Sequence, residues 1–504
     1  MKKISIKSTW SLLIPAVLAL MVISSCKSNF LDRRPLGRFS DDDLAPGSYD
    51  GDVFAAYALL RADPLNNHLY LGIHSFRSDE AMKGSSTSDG SNQEQMYDDF
   101  QYDKSNGGIQ EYWTATYATI NSVNRTIDKI NSQVETPTPA SMTNLAELKF
   151  LRAFSFFNLV RAFGRVPKID FAVTENSQSN IPKVADVNEL YTLIDADLTE
   201  AEANLPLSWD AQYIGRLTKG AAMSLHARTY MFRKNYAAAL ALCKSVISSN
   251  QYSLVANYGS QFRRSGENGP ESIFEIQAYF DQSQDLGIIY ANVQGVRGAG
   301  NWDLGWGWNT PTSNLVNEFE TGDPRRIETI LYSGTVDPLY GESVPSEPTI
   351  PRPYWNKKIY TDPADRTTWN NRFGRWMNHR IIRYADVILM AAEAANEVGG
   401  ATNTTDALAW LEQIRARARG GNAAVLPPVV TTDQAALRTA IRHERFVEFG
   451  MEESRFYDLV RWETDIAVLT AAGKPYQAKH RLLPIPQGEI DKSGGVLIQN
   501  PDYQ

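Results

Sequence analysis

The sequence predicts a mostly α-helical protein, a tetratricopeptide-like scaffold of paired helices carrying a loop-rich, tryptophan-rich region and a few short strands. Three observations lead there. Apolar residues recur at three- and four-residue spacing through the first half and the last quarter of the chain. Two of those stretches form helix–turn–helix pairs with alanine where the helices would cross. From residue 250 to about 378 the periodicity gives way to Gly, Pro, Asn, Asp, Trp and Tyr, and six of the eleven tryptophans fall there.

The N-terminus comes first. Lys2, Lys3 and Lys7 precede an apolar run from Leu12 to Ile23, and Ser24-Ser25-Cys26 follows. A basic start, a short apolar stretch and small residues describe a secretory signal over 1–25. The run is too short to span a bilayer as a helix, and Pro15 interrupts it. A cysteine at the cleavage point is what lipoprotein processing requires, so Cys26 is expected to carry lipid. The plainer alternative, an ordinary signal cut near Ser25, leaves Cys26 incidental. The mature chain, 26–504, is expected to form one domain, anchored and not spanning.

Helices are expected over about 49–62, 108–132, 141–163, 187–203, 218–232, 235–249, 381–398, 405–418, 433–449 and 452–463. The pair 218–249 shows the repeat logic. Its first helix carries Ala222, Leu225 and Tyr230; after Lys234-Asn235 the second places Ala239, Leu242, Cys243, Val246 and Ile247 on one face. Cys243 falls where such repeats put a core residue, so it reads as a packed thiol. The pair 381–418 repeats the scheme, with Ile381, Ala385, Ile388, Ala392 and Ala395 facing Ala407, Leu411 and Ile414. Residues 26–249 and 379–504 thus form the scaffold, and 250–378 the ligand-binding region. Within the latter, SIFEIQAYF at 272–280 reads as a strand and GAGNWDLGWGWNTPTS at 298–313 as loop.

Composition sets the outer limits. Beyond Cys26 only Cys243 remains, so an exported chain here has no disulfide framework and must rely on a core, which 504 residues at 43% hydrophobic content can supply. The formal net charge of −8 becomes −11 once the three signal lysines leave. With no Lys/Arg stripe, nucleic acid is not an expected partner.

Residues 441–463, IRHERFVEFGMEESRFYDLVRWE, set charges among core positions: Arg442, Glu444, Arg445, Glu448, Arg455, Asp458 and Arg461 between Ile441, Val447, Phe456, Leu459 and Val460. Buried charges must be paired, so this block reads as a structural ion network. A catalytic carboxylate pair, Glu444 with Glu448, is the sharper alternative, but nearby arginines keep a carboxylate ionised and spoil a general acid. Metalloprotease, phosphate-loop, nucleophile-elbow and paired C-x-x-C motifs are all missing, and the six histidines show no metal spacing. The chain reads as non-catalytic, with no cofactor indicated.

Several segments resemble one family. ERFVEFGMEESRFYDLVRW at 444–462, LLPIPQGEID at 482–491 and QNPDYQ at 499–504 are similar to the C-terminal signature of SusD/RagB lipoproteins of Bacteroidetes-type bacteria. NFLDRRP at 29–35 resembles the segment after the lipid-bearing cysteine. ELKFLRAFSFFNLVRAFGRVP at 147–167, GRLTKGAAMSLHARTYMF at 215–232 and HRIIRYADVILMAAEAANEVG at 379–399 resemble its helical repeats. The resemblance implies an outer-membrane, lipid-anchored protein facing the cell exterior. It would bind an oligosaccharide or polysaccharide and pass it to a SusC-like TonB-dependent transporter. RagB-like relatives keep peptide cargo as the alternative. Structural calcium is compatible with this family but not indicated by any motif.

The resemblance also points to two loop regions as ligand carriers. In the tryptophan-rich region, a flat indole matches the C–H face of a pyranose while neighbouring amides and charges bond its hydroxyls. Trp302, between Asn301 and Asp303, is the leading candidate, with Trp306, Trp308, Tyr290 and Asn292 behind it. The polar stretch 75–103 adds Arg77, Asp79, Tyr97 and Tyr102. Trp376 is expected to pack in the core.

Overall fold

The computed structural model describes residues 48–86, 89 and 92–503. The expected signal 1–25 and lipid site Cys26 lie outside the described residues. The first long helices are α1 (Asp50–Leu59), α2 (Gly107–Gln133), α3 (Pro139–Phe163), α4 (Asn188–Asn204), α5 (Lys219–Phe232) and α6 (Tyr236–Ser248). Local chemistry fixes their starts. The Asn106 side chain accepts from Ile109 N ahead of α2, a Thr138–Ser141 capping box precedes α3 with Pro139 in its first turn, and Thr218 and Asn235 cap α5 and α6.

Successive helices from α2 to α6 pack against one another; α6 then packs on α7 (Tyr384–Val398), and α7 on α8 (Ala401–Arg419). The two repeat pairs predicted from the sequence therefore stack on each other, although about 140 residues separate them. Helix α7 is buried at every position from Tyr384 to Asn396, and its Ala391, Ala392, Ala394 and Ala395 let flanking helices approach closely. Cys243 is fully buried on α6, as expected of a packed thiol.

Three predicted starts shift. One, expected at 405, comes four residues earlier, at Ala401. The helix expected from 381 begins at Tyr384, because His379–Arg383 is strand β4, paired antiparallel with β2 (Ser272–Ile276). The β-branched Ile381 and Ile382 suit that pleated setting. The helix expected from 452 begins at Arg455, since Met451 and Glu453 adopt left-handed backbone conformations that no helix can include. The strand expected over 272–280 is split into Ser272–Ile276 and Tyr279–Phe280.

Helices α9 (Gln434–Phe449) and α10 (Arg455–Arg461) carry the charged block, and its named charges are paired inside the protein except Arg442, which lies 4.8 Å over the Trp462 ring with no ion pair among the described residues. Arg445 bonds Asp386 (2.5 Å) and Asp458 (2.6 Å), and Arg461 bonds Asp458 and Glu393. Glu444 takes Arg325 (2.6 Å) and Arg415 (2.8 Å), while Glu448 takes Arg325, Arg383 and Arg417. Most partners come from distant elements. Arg455 grips Asp79 with two bonds of 2.8 Å.

Candidate functional site

The two nominated loop regions meet through one strand pair. Strand β1 (Ala81–Gly84) runs antiparallel to β3 (Trp308–Pro311), with Ala81 opposite Pro311 and Gly84 opposite Trp308. The turn beyond β1 is closed by Ser85 N donating to Gly307 O (2.7 Å). Gly84 is held at φ +81°, and a Cβ there would lie 2.7 Å from the Gly307 carbonyl, so only glycine permits this approach. Residues 292–307 fold back on themselves, with Leu304 N bonding Val296 O, Gly307 N bonding Gly295 O, and Trp306 N bonding Asn292 O.

At the closed end of this loop the half-buried Trp306 meets Trp308 edge-on, ring centroids 5.4 Å apart. The His68 ring abuts both indoles, at 5.9 and 5.4 Å, and its Nε2 lies 3.2 Å from Glu94 Oε1. Asp89 gathers three donors: the Ser85 hydroxyl, Trp308 Nε1 (3.4 Å) and Arg297 Nη1 (3.0 Å). Lys83 sits 5.2 Å over the Trp308 ring and donates to the Asp89 carbonyl; Arg352 donates to the Ser85 and Gly84 carbonyls. Nearer the tip, Trp302 stacks against Tyr360 with centroids 6.2 Å apart, and Asp303 pairs with Arg372 (2.5 Å). Partly exposed indoles flanked by donors suit a ligand with flat apolar faces and many hydroxyls.

Six nominated residues are corrected, since each is buried and committed to the protein. Arg77 is fully buried, bonds the His480 carbonyl and lies 4.1 Å over Phe456. Asp79 belongs to Arg455. Tyr97 bonds Asn106 (3.1 Å), and Tyr102 packs beside His480 and Tyr503. Tyr290 stacks on His379 at 4.0 Å and gives its hydroxyl to Glu453 (2.6 Å). Trp308, 7% exposed, underlies Trp306 and does not face solvent itself. A polar stretch can be interior when its groups find partners, and 71–80 is such a stretch, buried throughout. Trp302, Trp306 and Asn292 remain at or near the surface, and Asn292 Nδ2 is a buried donor with no bond among the described residues.

His68, Lys83, Asp89, Arg297 and Arg352 escaped sequence reasoning. Arg297 had the clearest signal, a lone charge in the Gly-rich run ahead of Trp302; His68 and Arg352 reach the site only by tertiary folding. Trp376 is buried, as expected.

Other regions are poorer sites. A cavity of about 50 Å³ among Tyr70, Arg228, Asp386, Arg445 and Tyr457 lies inside the ion network. It is too small for a sugar. A larger open groove of about 360 Å³ runs past Leu207, Trp209, Ile214 and Tyr252, but the Trp209 indole is covered by Arg216 at 4.0 Å and its N–H is spent on Leu217 O. Burial opposes the charge of Glu448, yet Arg417, Arg383 and Arg325 hold its carboxyl well below the usual range, which removes it as a general acid. Glu320, His443 and Glu444 have metal-like spacing, but Arg415 already bonds both carboxylates.

Residues 349–503 match the family model described as the SusD family, and residues 56–231 match one described as starch-binding, associating with the outer membrane. SusD-like protein P2 of Formosa agariphila is 29% identical over 421 residues, 79% of this chain and 81% of the relative. The starch-binding protein SusD of Bacteroides thetaiotaomicron is 31% identical over 137 residues, 26% of this chain and 24% of that protein. Among solved structures, a laminarin-binding SusD-like protein superposes with a TM-score of 0.75 at 27% identity, covering 90% of this chain and 98% of the other.

Proposed function

This chain belongs to the SusD/RagB family, and on that premise we propose that it captures an oligosaccharide at the cell surface and delivers it to a SusC-like TonB-dependent transporter. It is a binding protein and not an enzyme. Its family associates with the outer membrane. No helix among the described residues is long and apolar enough to cross a membrane. The anchor in this reading is lipid on Cys26, at the exterior face.

The observation that carries the reading is the β1–β3 pairing, which gathers Trp306, backed by the buried Trp308, with Asp89 and Arg297 at one surface. Relatives bearing the names starch-binding and laminarin-binding support a glycan ligand. Burying a large aromatic face contributes about 1.5–3 kcal/mol, so two stacked rings supply about 3–6 kcal/mol, an affinity from several millimolar to tens of micromolar. Weak capture suits a protein that must release its cargo. Lipid tethering would raise the effective concentration of cargo beside the partner barrel.

The test is affinity electrophoresis of the soluble chain, beginning after Cys26, in gels containing plant, fungal and host polysaccharides. Retardation by one class, lost in Trp306→Ala, supports the reading. Mobility unchanged in every gel, with peptide binding detected by calorimetry, would replace it by the RagB-like alternative. Co-purification with a large barrel from outer membranes tests the delivery step.

A further inference from the structure

The charges around the two ends of the 292–307 loop differ. At the Trp302 end they are matched: Asp303 pairs with Arg372, and Glu342 with Arg366. At the Trp306 end three cations converge on one turn. Arg297, whose side chain is 44% exposed, shares Asp89 with the Trp308 indole and the Ser85 hydroxyl. Lys83 has the Asp89 main-chain carbonyl as its bonded partner, and no carboxylate within ion-pair distance among the described residues. Arg352 likewise donates to the main-chain carbonyls of Ser85 and Gly84 and to no carboxylate among the described residues. Of the remaining acids, Glu94 is placed against His68, while Asp98, which accepts the Lys83 main-chain N–H, is neutralised by Lys474. Counting His68 as neutral, three positive charges face Asp89 and Glu94, a local surplus on a chain whose formal net charge is −8.

A neutral glucan has no use for such a surplus. Cations held near a half-exposed indole without full carboxylate pairing keep an unmet demand for negative charge, and it is strongest where burial removes water, as at Lys83, only 4% exposed. We infer that the glycan taken at this surface is acidic, a polysaccharide bearing carboxylate or sulfate ester groups. One sugar ring lies on Trp306 and its anionic group meets Arg297, with Lys83 and Arg352 supplying field from behind. Arginine suits the task, since its planar fork donates to carboxylate or sulfate oxygens in pairs. This inference rests on the glycan-binding reading above and narrows it to a substrate class.

The experiment uses the whole soluble chain and polymers matched in backbone but not in charge. Polygalacturonate is compared with its fully methyl-esterified form, and sulfated laminarin with laminarin, by calorimetry at two salt concentrations. The acidic member of at least one pair should bind at least tenfold tighter, weaken as salt rises, and lose most of that advantage in Arg297→Gln. Whichever pair responds tells carboxylate from sulfate. Equal binding within both pairs, or an acidic preference that Arg297→Gln leaves intact, overturns the inference while leaving glycan binding standing. No binding to any of the four polymers, nor to the wider panel, overturns both.

Discussion

Replacing Arg445 by alanine should destabilise the fold without touching ligand affinity. The guanidinium is 5% exposed, bonds Asp386 and Asp458 at 2.5 and 2.6 Å, and lies 4.9 Å over the Phe449 ring. Each aspartate keeps one other partner, Arg228 or Arg461, so the variant leaves two buried carboxylates undersupplied and none wholly bare. Breaking a buried pair of this kind costs about 3–5 kcal/mol. A mature chain of about 480 residues unfolds with an entropy near 1 kcal/mol/K, so the melting temperature should fall by about 3–5 °C at pH 7. Burial alone would raise both aspartate pKa values, but Arg445, then Arg228 for Asp386 and Arg461 for Asp458, hold them below the ordinary value. A depressed folded-state pKa contributes stability above the unfolded value, about 3.9, and loses it as pH falls through the folded value. The gap between wild type and variant should therefore persist to about pH 5 and narrow below about pH 4. Arg445→Met separates causes, because it keeps the aliphatic stem but not the charge. Calorimetric melting of the three proteins is the assay. A shift under about 1 °C at pH 7, full recovery in Arg445→Met, or a stable variant that has lost glycan binding would refute the ion-network account.

Trp306→Ala should weaken glycan binding about tenfold or more with the melting temperature within about 1 °C, checked by calorimetry and thermal melting side by side. Trp302→Ala should weaken binding of longer oligosaccharides more than that of short ones, because Trp302 stands toward the loop tip, away from Trp306; equal effects at every length would remove it from the site. Tyr290→Phe should lower stability by about 1–2 kcal/mol through the lost bond to buried Glu453 and leave affinity unchanged, as denaturant titration and a binding isotherm would report. Cys243 is fully buried and its thiol is pushed well up by that burial, with Asp386 adding to the effect. Native protein should resist alkylation by iodoacetamide, and labelling should follow unfolding; rapid native labelling would contradict the packing of α6 on α7.

The helical scaffold was legible because its determinants are local. In 218–249 the apolar spacing, the Asn235 cap and the small Ala239 all agree, and α5 and α6 lie where they predict. Asp433 and Thr138 announce α9 and α3 in the same way. The strand at 379–383 was not legible, since Arg383 leaves the helical pattern to serve Glu271, Glu448 and Glu452, residues brought to it by folding.

The candidate site divides along the same line. Composition marked the tryptophan-rich loop, and the family resemblance marked it together with the polar stretch 75–103 as the two contributors. Which of their residues face outward depended on a strand pair joining positions more than 200 residues apart, and on partners such as His480 for Arg77 and Glu453 for Tyr290. A side chain's type declares what it can bond, so the sequence by itself determined the helices, the charged core and the class of chemistry. Its exposure is set by whatever packs over it, and that came only from the tertiary structure, which buried Tyr97 and Tyr290 and left Trp306 and Arg297 at the surface.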